Sequence, residues 1–216
     1  GASLIIAFLI GTMLGIFIAW NRTRKLDTFL PPILAFLGAF PYFWLAMLAL
    51  YIFGFSLNWF PIGHAYGSEV KPALNWTFIV SVLHHAVLPA STMIFVSLGG
   101  WMLSMRNTMI STLGADYITF ANAKGISDRL IMLRYAARNA ILPNLTGFGM
   151  ALGFVLSGAL LTEIIFSYPG QGYLLLQAVK AQDFPLMQGI FMTITLAVLT
   201  ANWLVDIAIL VFDPRT

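Results

Sequence analysis

Residues 1–20 read GASLIIAFLIGTMLGIFIAW, a run without a single charged side chain. An α-helix rises 1.5 Å per residue, so such a run can cross a hydrocarbon core about 30 Å thick. Over the whole chain of 216 residues, 60% of the side chains are hydrophobic and 9% are charged. Ordinary soluble domains have about 45–50% and about 25%. The composition therefore excludes a typical soluble globule and indicates an integral membrane protein.

Four further apolar runs have the length that a spanning helix needs. The five predicted spans cover residues 1–20, 32–55, 88–109, 144–166 and 187–211. We therefore expect an all-α fold, a polytopic bundle in which residues 1–216 form one transmembrane domain with a cytoplasmic loop at 110–143. Because the chain opens inside a hydrophobic segment, we also expect upstream sequence with at least one more spanning helix.

The basic residues predict the orientation, since cytoplasmic loops carry an excess of Lys and Arg. With the cluster Arg22, Arg24 and Lys25 in the cytoplasm, only Lys71 and Lys180 lie outside, which leaves nine of the 11 basic residues inside. The net charge of +3 is therefore explained by membrane orientation, and nucleic acid is not an expected partner. The segments expected outside are 56–87 and 167–186.

Small residues recur at four-residue spacing at Gly11 and Gly15, and again at Gly149, Gly153 and Ser157. Such stripes let membrane helices approach closely. The pattern favours close packing within one bundle over a subunit interface, although it fits both.

The loop at 110–143 contains DYITFANAKG at 116–125 and ISDRLIMLRYAARNAILP at 126–143. Gly125 suits the left-handed position that ends a helix, Ser127 can cap the next helix, and Asp128 in its first turn complements the helix dipole. Pro143 marks the transition into the fourth span. The pattern predicts a helix, a break and a second helix.

Residues three and four apart share a helix face. On the first loop helix the predicted face comprises Tyr117, Phe120, Ala121 and Lys124, and on the second it comprises Arg134 and Arg138. Such an amphipathic pair has a face available for a partner. Periodicity supports equally well an interfacial loop whose arginines only follow the orientation rule.

The loop resembles the cytoplasmic EAA loop of ABC importer permeases, in the form of the dipeptide, oligopeptide and nickel branch. The matching residues are Asp116, Tyr117, Ala121 to Gly125, Ser127, Arg138 to Ala140, and Pro143. Thr119-Phe120-Ala121 stands where Glu-Ala-Ala is general in the family, and Gly125 and Pro143 are further apart than usual. In that family the loop forms coupling helices that sit in a cleft of the cytoplasmic ATPase. With neighbouring charges included, the residues expected to couple to the ATPase are Asp116, Tyr117, Ala121, Ala123, Lys124, Gly125, Ser127, Asp128, Arg134, Arg138, Asn139 and Pro143.

Other segments extend the resemblance, which is to the first of the two permeases of such systems. They are Pro41–Trp44, Trp59–Gly63, His85–Pro89, Glu163–Phe166, Pro169–Gly172, Asp183–Pro185 and Asp213–Arg215. The resemblance implies a second permease subunit, two ATPase subunits and an extracytoplasmic solute-binding protein as partners, within the lipid of the cell membrane. It also implies that ATP and Mg are used by the ATPase subunits, with no cofactor bound by this chain.

Two carboxylates fall near or within predicted spans. A charge in hydrocarbon costs several kcal/mol by order of magnitude, so Glu163 and Asp206 should each face the bundle, a water-filled cavity or a partner. For Glu163, a place in a gate or translocation path and a structural hydrogen bond are equally open. For Asp206 a structural hydrogen bond is favoured, because Asn202 lies one turn away.

The histidines do not predict a metal site. His84 and His85 project about 100° apart on a helix and cannot chelate one ion without other ligands. His64 lies in a segment with Gly and Pro that is typical of a loop.

The sequence has no phosphate-binding Walker loop, no HExxH, no GxSxG and no cysteine. These absences give little support to an enzyme. The resemblance implies a transport subunit instead, the permease of an ATP-driven importer for peptides or similar oligomers. The alternatives are an ATP-independent carrier or channel, for which Glu163 and Asp206 are the candidate coupling groups, and, with less support, a membrane enzyme.

Overall fold

The computed structural model describes the backbone of residues 1–21, 25–156 and 160–212, and their side chains except those of residues 25–26, 154–156 and 212. Several predictions fall outside the described residues. They concern Ser157, the basic residues Arg22, Arg24 and Arg215, the side chain of Lys25, and the segment Asp213–Arg215.

Every regular element in the described ranges is a helix, as the sequence predicts. The first half of the chain contains α1 (Ala2–Trp20), α2 (Lys25–Gly38), α3 (Tyr42–Ala49), which continues as a π-helical segment (Leu50–Ser56), and α4 (Trp76–Leu113). Next come α5 (Asp116–Ala123) and α6 (Asp128–Leu130), then a second π-helical segment (Ile131–Ala137) that leads into α7 (Arg138–Leu156). The last helices are α8 (Leu160–Ile165), α9 (Gln171–Ala181) and α10 (Phe184–Phe212).

Three helices in the described ranges are long and apolar enough to cross a membrane, namely α1, α4 and residues Phe184–Val211 of α10. A fourth candidate is the bent pair Asp27–Gly38 and Tyr42–Ser56, whose axes meet at 91°. The predicted fourth span at 144–166 contains most of α7 and all of α8, between which residues 157–159 lie outside the description. The number of five spanning helices therefore remains a prediction.

The predicted second span at 32–55 is not one straight helix. Pro41 has no N–H and disfavours helical geometry at the residue before it, so α2 ends at Gly38 and a new helix follows. The Pro41 carbonyl then accepts a hydrogen bond from the Trp44 N–H at 3.0 Å, which opens α3.

The helix that contains the predicted third span is longer than 88–109. It begins at Trp76, because the Oδ1 of Asn75 accepts a hydrogen bond from the Phe78 N–H at 2.8 Å and so satisfies a free donor of the first turn. At 38 residues α4 is about 57 Å long, which exceeds the hydrocarbon core. Residues 76–87, which belong to the segment expected outside the membrane, are therefore the first turns of the same helix as the predicted third span.

The small-residue stripes are buried helix contacts within the chain. An added Cβ on Gly11 or Gly15 of α1 would lie 2.7 Å from the nearest atom of α4. Gly149 and Gly153 of α7 face α10, where they pack against Val205 and Val198. The predicted close packing within one bundle is confirmed for these four glycines.

Two polar contacts join the helices across this bundle. The Arg106 Nε of α4 donates to the Asp27 Oδ1 of α2 at 2.7 Å, with side chains 22% and 13% exposed. Asn144 of α7 is buried, and its Nδ2 lies 3.4 Å from both the Thr12 Oγ1 of α1 and the Trp101 carbonyl of α4. Arg106 is one of the nine basic residues predicted to lie inside, and its pairing with Asp27, 79 residues earlier, has no signal in the sequence pattern.

Candidate functional site

The predicted break in the loop forms where the sequence places it. Gly125 has φ +72, in the left-handed region. Its N–H donates to the Asn122 carbonyl at 2.9 Å, and the Ile126 N–H donates to the Ala121 carbonyl at 3.3 Å. These two bonds are those of a Schellman motif, which satisfies carbonyls at the end of a helix. The prediction for Gly125 is confirmed.

The second loop helix begins at the predicted residue but with a different cap. Ser127 is the N-cap of α6 and Asp128 stands in the first turn, yet the Ser127 side chain makes no capping hydrogen bond. Instead its carbonyl accepts hydrogen bonds from the Leu130 and Ile131 N–H groups at 2.9 and 3.0 Å. The start of the helix is therefore correct and the predicted side-chain cap is wrong.

One side of α5 is packed against the helix bundle. Ile118 and Ala121 are 3% and 2% exposed, and they lie in a cluster with Met105 and Met109 of α4 and Ala19 of α1. Ala121 was predicted to share a face with Tyr117, Phe120 and Lys124, and that prediction is wrong. The core contact fixes α5 to the ends of two long apolar helices.

The opposite side of the loop is open. Tyr117 is 42% and Phe120 is 62% exposed, and the Lys124 Nζ lies 4.6 Å above the centre of the Phe120 ring, a cation–π geometry. We call Tyr117, Phe120 and Lys124 the loop face. The other predicted coupling residues that are exposed are Asp116, Ala123, Gly125, Ser127, Asp128, Arg134 and Arg138. The structure thus presents an aromatic and basic surface on a packed support.

The helix after the loop runs without a break into the bundle. The π-helical segment connects α6 to α7, and Pro143 lies inside α7 and does not mark a boundary, contrary to prediction. Pro143 removes one backbone donor, and nearby the half-buried Asn139 uses its Nδ2 to donate to the Tyr135 carbonyl at 2.7 Å. Arg134 and Arg138 border a groove of about 400 Å³ that also touches Ile16 and Val211. One continuous helical run therefore connects the loop to the bundle.

The half-buried Glu163 has a structural role that the sequence left open. Its Oε2 accepts a hydrogen bond from the Tyr173 N–H at 2.7 Å, in the first turn of α9. Gly170 and Gly172 lie so close to the carboxylate that a Cβ on either would meet it. A negative charge at a helix N-terminus is stabilised by the free N–H groups and the helix dipole. Glu163 thereby ties α8 to α9.

Asp206 behaves differently. It is exposed on α10, as is Asn202, and within the described residues neither side chain has a hydrogen-bond partner. The predicted structural hydrogen bond between them is not formed.

The loops near Glu163 enclose a surface pocket of about 490 Å³. It is lined by His64, Ala65, Tyr66, Ser68, Ser167, Pro169 and Tyr173. The His64 N–H donates to the Phe166 carbonyl at 3.0 Å, which joins the segment before α4 to the end of α8.

The rings of His84 and His85 are 6.2 Å apart. His84 contacts the Trp59 carbonyl, and His85 contacts the Ser81 carbonyl. In the described ranges no three His, Asp or Glu side chains converge in a way that could hold a metal ion.

Comparison with known proteins shows the family to which this chain belongs. Residues 11–216 match the family described as the binding-protein-dependent transport system inner membrane component. The chain belongs to this family. Membership of this family indicates a transport subunit, and the resemblance to ABC importer permeases of the peptide branch is confirmed.

Curated relatives of this chain carry transport names. A Brucella suis biovar 1 protein named as a peptide permease is 37% identical over 215 residues, which cover 99% of this chain and 66% of that protein. The D,D-dipeptide transport system permease protein DdpB of Escherichia coli K12 is 37% identical over 228 residues (99% and 67%). The di/tripeptide transport system permease protein DppB of Pseudomonas aeruginosa is 31% identical over 228 residues (99% and 68%). The chain thus spans about two thirds of the length of these relatives.

Proposed function

We propose that this inner-membrane component is the transmembrane permease subunit of an ATP-driven importer of peptides or similar oligomeric solutes in the cell membrane. It acts with a second permease subunit, two ATPase subunits and an extracytoplasmic solute-binding protein. ATP and Mg are bound by the ATPase subunits. Family membership and the peptide-transport names of the relatives support the solute class.

The loop face carries the proposal for ATP coupling. Tyr117, Phe120 and Lys124 are exposed on a short helix whose other side, through Ile118 and Ala121, is packed into the bundle. A partner that moves the loop face therefore moves α1 and α4 as well. Large exposed aromatic groups beside a cation are typical of protein contacts. We infer that this surface contacts the ATPase subunit.

The hypothesised mechanism is alternating access. Closure of the two ATPase subunits displaces residues 117–139, and the unbroken helical run from Asp128 to Leu156 carries the displacement into the membrane. The bundle then switches a central cavity between outside and inside. ATP can drive the switch only if the two states bind the ATPase differently.

The opposite end of the molecule is proposed to face outward. The pocket bordered by His64, Tyr66 and Tyr173 lies at the end of α4 away from the loop face, among the loops that precede α4 and α9. If the loop face is cytoplasmic, this pocket is on the side where the solute-binding protein docks.

Reconstitution tests the function against its alternatives. The complete complex is placed in liposomes with the solute-binding protein and a labelled dipeptide on the outer side of the importer, and uptake is measured with and without ATP. The proposal expects uptake only with ATP and with both ATPase subunits. Uptake driven by an ion gradient without ATP would instead establish a carrier, with Asp206 as the group to test for coupling. Passive uptake at the same rate would establish a channel.

A further inference from the structure

A groove between three helical elements combines apolar walls with two cations. It has a volume of about 400 Å³ and lies between α1, the run from the second π-helical segment into α7, and the last turn of α10. Two of its lining residues are Arg134 and Arg138, and the others in the described chain are apolar. We call it the basic groove, and its apolar residues are Ile16, Leu133, Ala137, Ile141 and Val211. No carboxylate of the described chain lines it.

The basic groove lies where the long helices end. Ile16 is one turn before Trp20, the last residue of α1, and Val211 is in the last turn of α10. Tryptophan is typical of the boundary between hydrocarbon and lipid headgroups. Arg134 is nearest to the loop, and Ile141 is seven residues further on, about 10 Å deeper along the helix. The groove therefore has a cationic end near the membrane surface and an apolar end within the bundle.

The two arginines suit a phosphate group. Arg134 and Arg138 are both exposed and lie four residues apart on the side of the helix that lines the groove, so both guanidinium groups can reach one anion. A guanidinium group binds phosphate oxygens through paired N–H donors. Basic pockets between membrane helices on the cytoplasmic side are typical binding sites for the headgroups of anionic lipids.

The apolar part of the basic groove decides between possible occupants. Leu133 and Val211 are 44% and 70% exposed, and an acyl chain in the groove would cover both. An acidic side chain of another subunit would pair with the arginines but would leave this apolar surface uncovered. An apolar helix of another subunit would cover the surface but would also bury two arginines, which is costly unless each is paired with an anion. An anionic phospholipid matches both parts.

We propose that the basic groove binds one anionic phospholipid, with its phosphate on Arg134 and Arg138 and part of an acyl chain along Ile141 and Val211. The bound lipid contacts α1, α7 and α10 together, so it holds the helix that follows the loop against two long apolar helices. If the loop face is cytoplasmic, the lipid belongs to the inner leaflet. The inference needs no assumption about the solute or about ATP.

Fluorescence quenching by labelled lipids tests the site in the assembled complex. The chain contains no cysteine, so Val211→Cys provides one attachment point for a fluorophore at the rim of the groove, with partner subunits freed of reactive cysteines. The complex is placed in phosphatidylcholine nanodiscs that contain a small fraction of nitroxide-labelled phosphatidylglycerol or nitroxide-labelled phosphatidylcholine with the same acyl chains. We expect phosphatidylglycerol to quench at a concentration at least about fivefold lower, as expected for attraction by one basic residue near a membrane surface.

A second label position separates a specific site from general contact with lipid. Leu199 is 61% exposed and lies about 18 Å from Val211 along α10. At Leu199→Cys the two labelled lipids should quench at equal concentrations. A fluorophore at Val211→Cys that also shows no preference for phosphatidylglycerol would overturn the proposal.

Charge variants test the arginines. Arg134→Gln should lower the preference for phosphatidylglycerol at Val211→Cys about fivefold, and Arg134→Lys should retain most of it. Arg129→Gln is the matched control, because Arg129 is exposed and removes the same charge but does not line the groove. An equal loss in Arg129→Gln would mean attraction by the overall charge of the loop and would overturn the site. If Arg134→Gln does not assemble, the comparison of Val211→Cys with Leu199→Cys still decides.

Two further results would identify a different occupant. Glycerol phosphate carries the phosphate without acyl chains, and we expect that millimolar concentrations of it do not relieve the quenching. Relief would assign the site to a free phosphate and overturn the role of the apolar part. A fluorophore at Val211→Cys that neither lipid quenches would show that a protein subunit covers the groove, which would also overturn the proposal. These measurements use neither ATP nor solute, so their failure would contradict this inference alone.

Discussion

Replacing Gly15 by alanine should destabilise the contact between α1 and α4. The added Cβ would lie 2.7 Å from the Met102 carbonyl oxygen and 2.7 Å from the Met105 Cβ. Neither atom can be rotated away, since one is backbone and the other is fixed to it. To reach an ordinary contact of 3.4 Å the helices must separate by about 0.7 Å.

The size of the effect follows from packing. Overfilling a packed interior costs about 1–3 kcal/mol, and a gap of this width removes part of the dispersion contacts along the helix pair. Alanine is also a better helix former than glycine by about 1 kcal/mol, which would mask part of the loss. Gly100→Ala is the matched control, because it lies inside α4 with no atom within 4 Å of an added Cβ.

The assay is unfolding of the purified complex in detergent, followed by loss of helical signal as denaturing detergent is added. Both variants gain the same helix propensity, so this gain cancels when their free energies of unfolding are compared. We expect the free energy of unfolding of Gly15→Ala to be lower than that of Gly100→Ala by about 2 kcal/mol. Equal stability of the two variants would refute the close contact of α1 and α4 on which the fold depends.

Three further predictions concern the loop, α9 and the ion pair. Gly125→Ala forces a Cβ into the left-handed region at a cost of about 1–2 kcal/mol, and should lower the ratio of solute imported to ATP hydrolysed more than Gly125→Asn does. Glu163→Ala should speed hydrogen exchange of the Tyr173 amide about fivefold, as expected for loss of a helix cap of about 1 kcal/mol, while Glu163→Gln keeps an acceptor and has a smaller effect. Asp27→Asn and Arg106→Gln should each destabilise the complex to denaturing detergent by about 1–3 kcal/mol, and the double variant by less than the sum; additive losses would show that the two side chains do not interact.

Local sequence signals predicted the parts of the fold that depend on local physics. Long charge-free runs predict helices, because hydrocarbon offers no hydrogen-bond partner to unpaired backbone N–H and C=O groups. Gly125 predicted the loop break because the left-handed position favours glycine over other residues. The bend at Pro41 and the early start of α4 after Asn75 also have local signals, a proline and a cap residue, but the pattern of apolar runs does not include them.

The geometry of the candidate site depends more on contacts between helices than on local sequence. Ala121 lies three residues from both Ile118 and Lys124, so spacing alone could not decide whether it faces the bundle or the solvent. The carboxylate of Glu163 is bound by the Tyr173 N–H, ten residues further on, and Arg106 pairs with Asp27 on another helix. No helix periodicity relates residues on different elements, so these contacts could not be derived from the sequence pattern.

Cross-linking of the loop face tests the central claim most directly. Phe120 and Phe95 are 62% and 61% exposed, but Phe95 lies in the middle of α4, well away from the loop. Phe120→Cys and Phe95→Cys are each introduced into the otherwise cysteine-free chain and labelled with a thiol reagent that carries a photoactivatable group. Irradiation of the assembled complex then links the labelled position to the protein that lies beside it. We expect Phe120→Cys to form a covalent product with the ATPase subunit and Phe95→Cys to form none. A loop position that reacts only with reagent added from the outer side of the membrane, and never with the ATPase, would contradict the account.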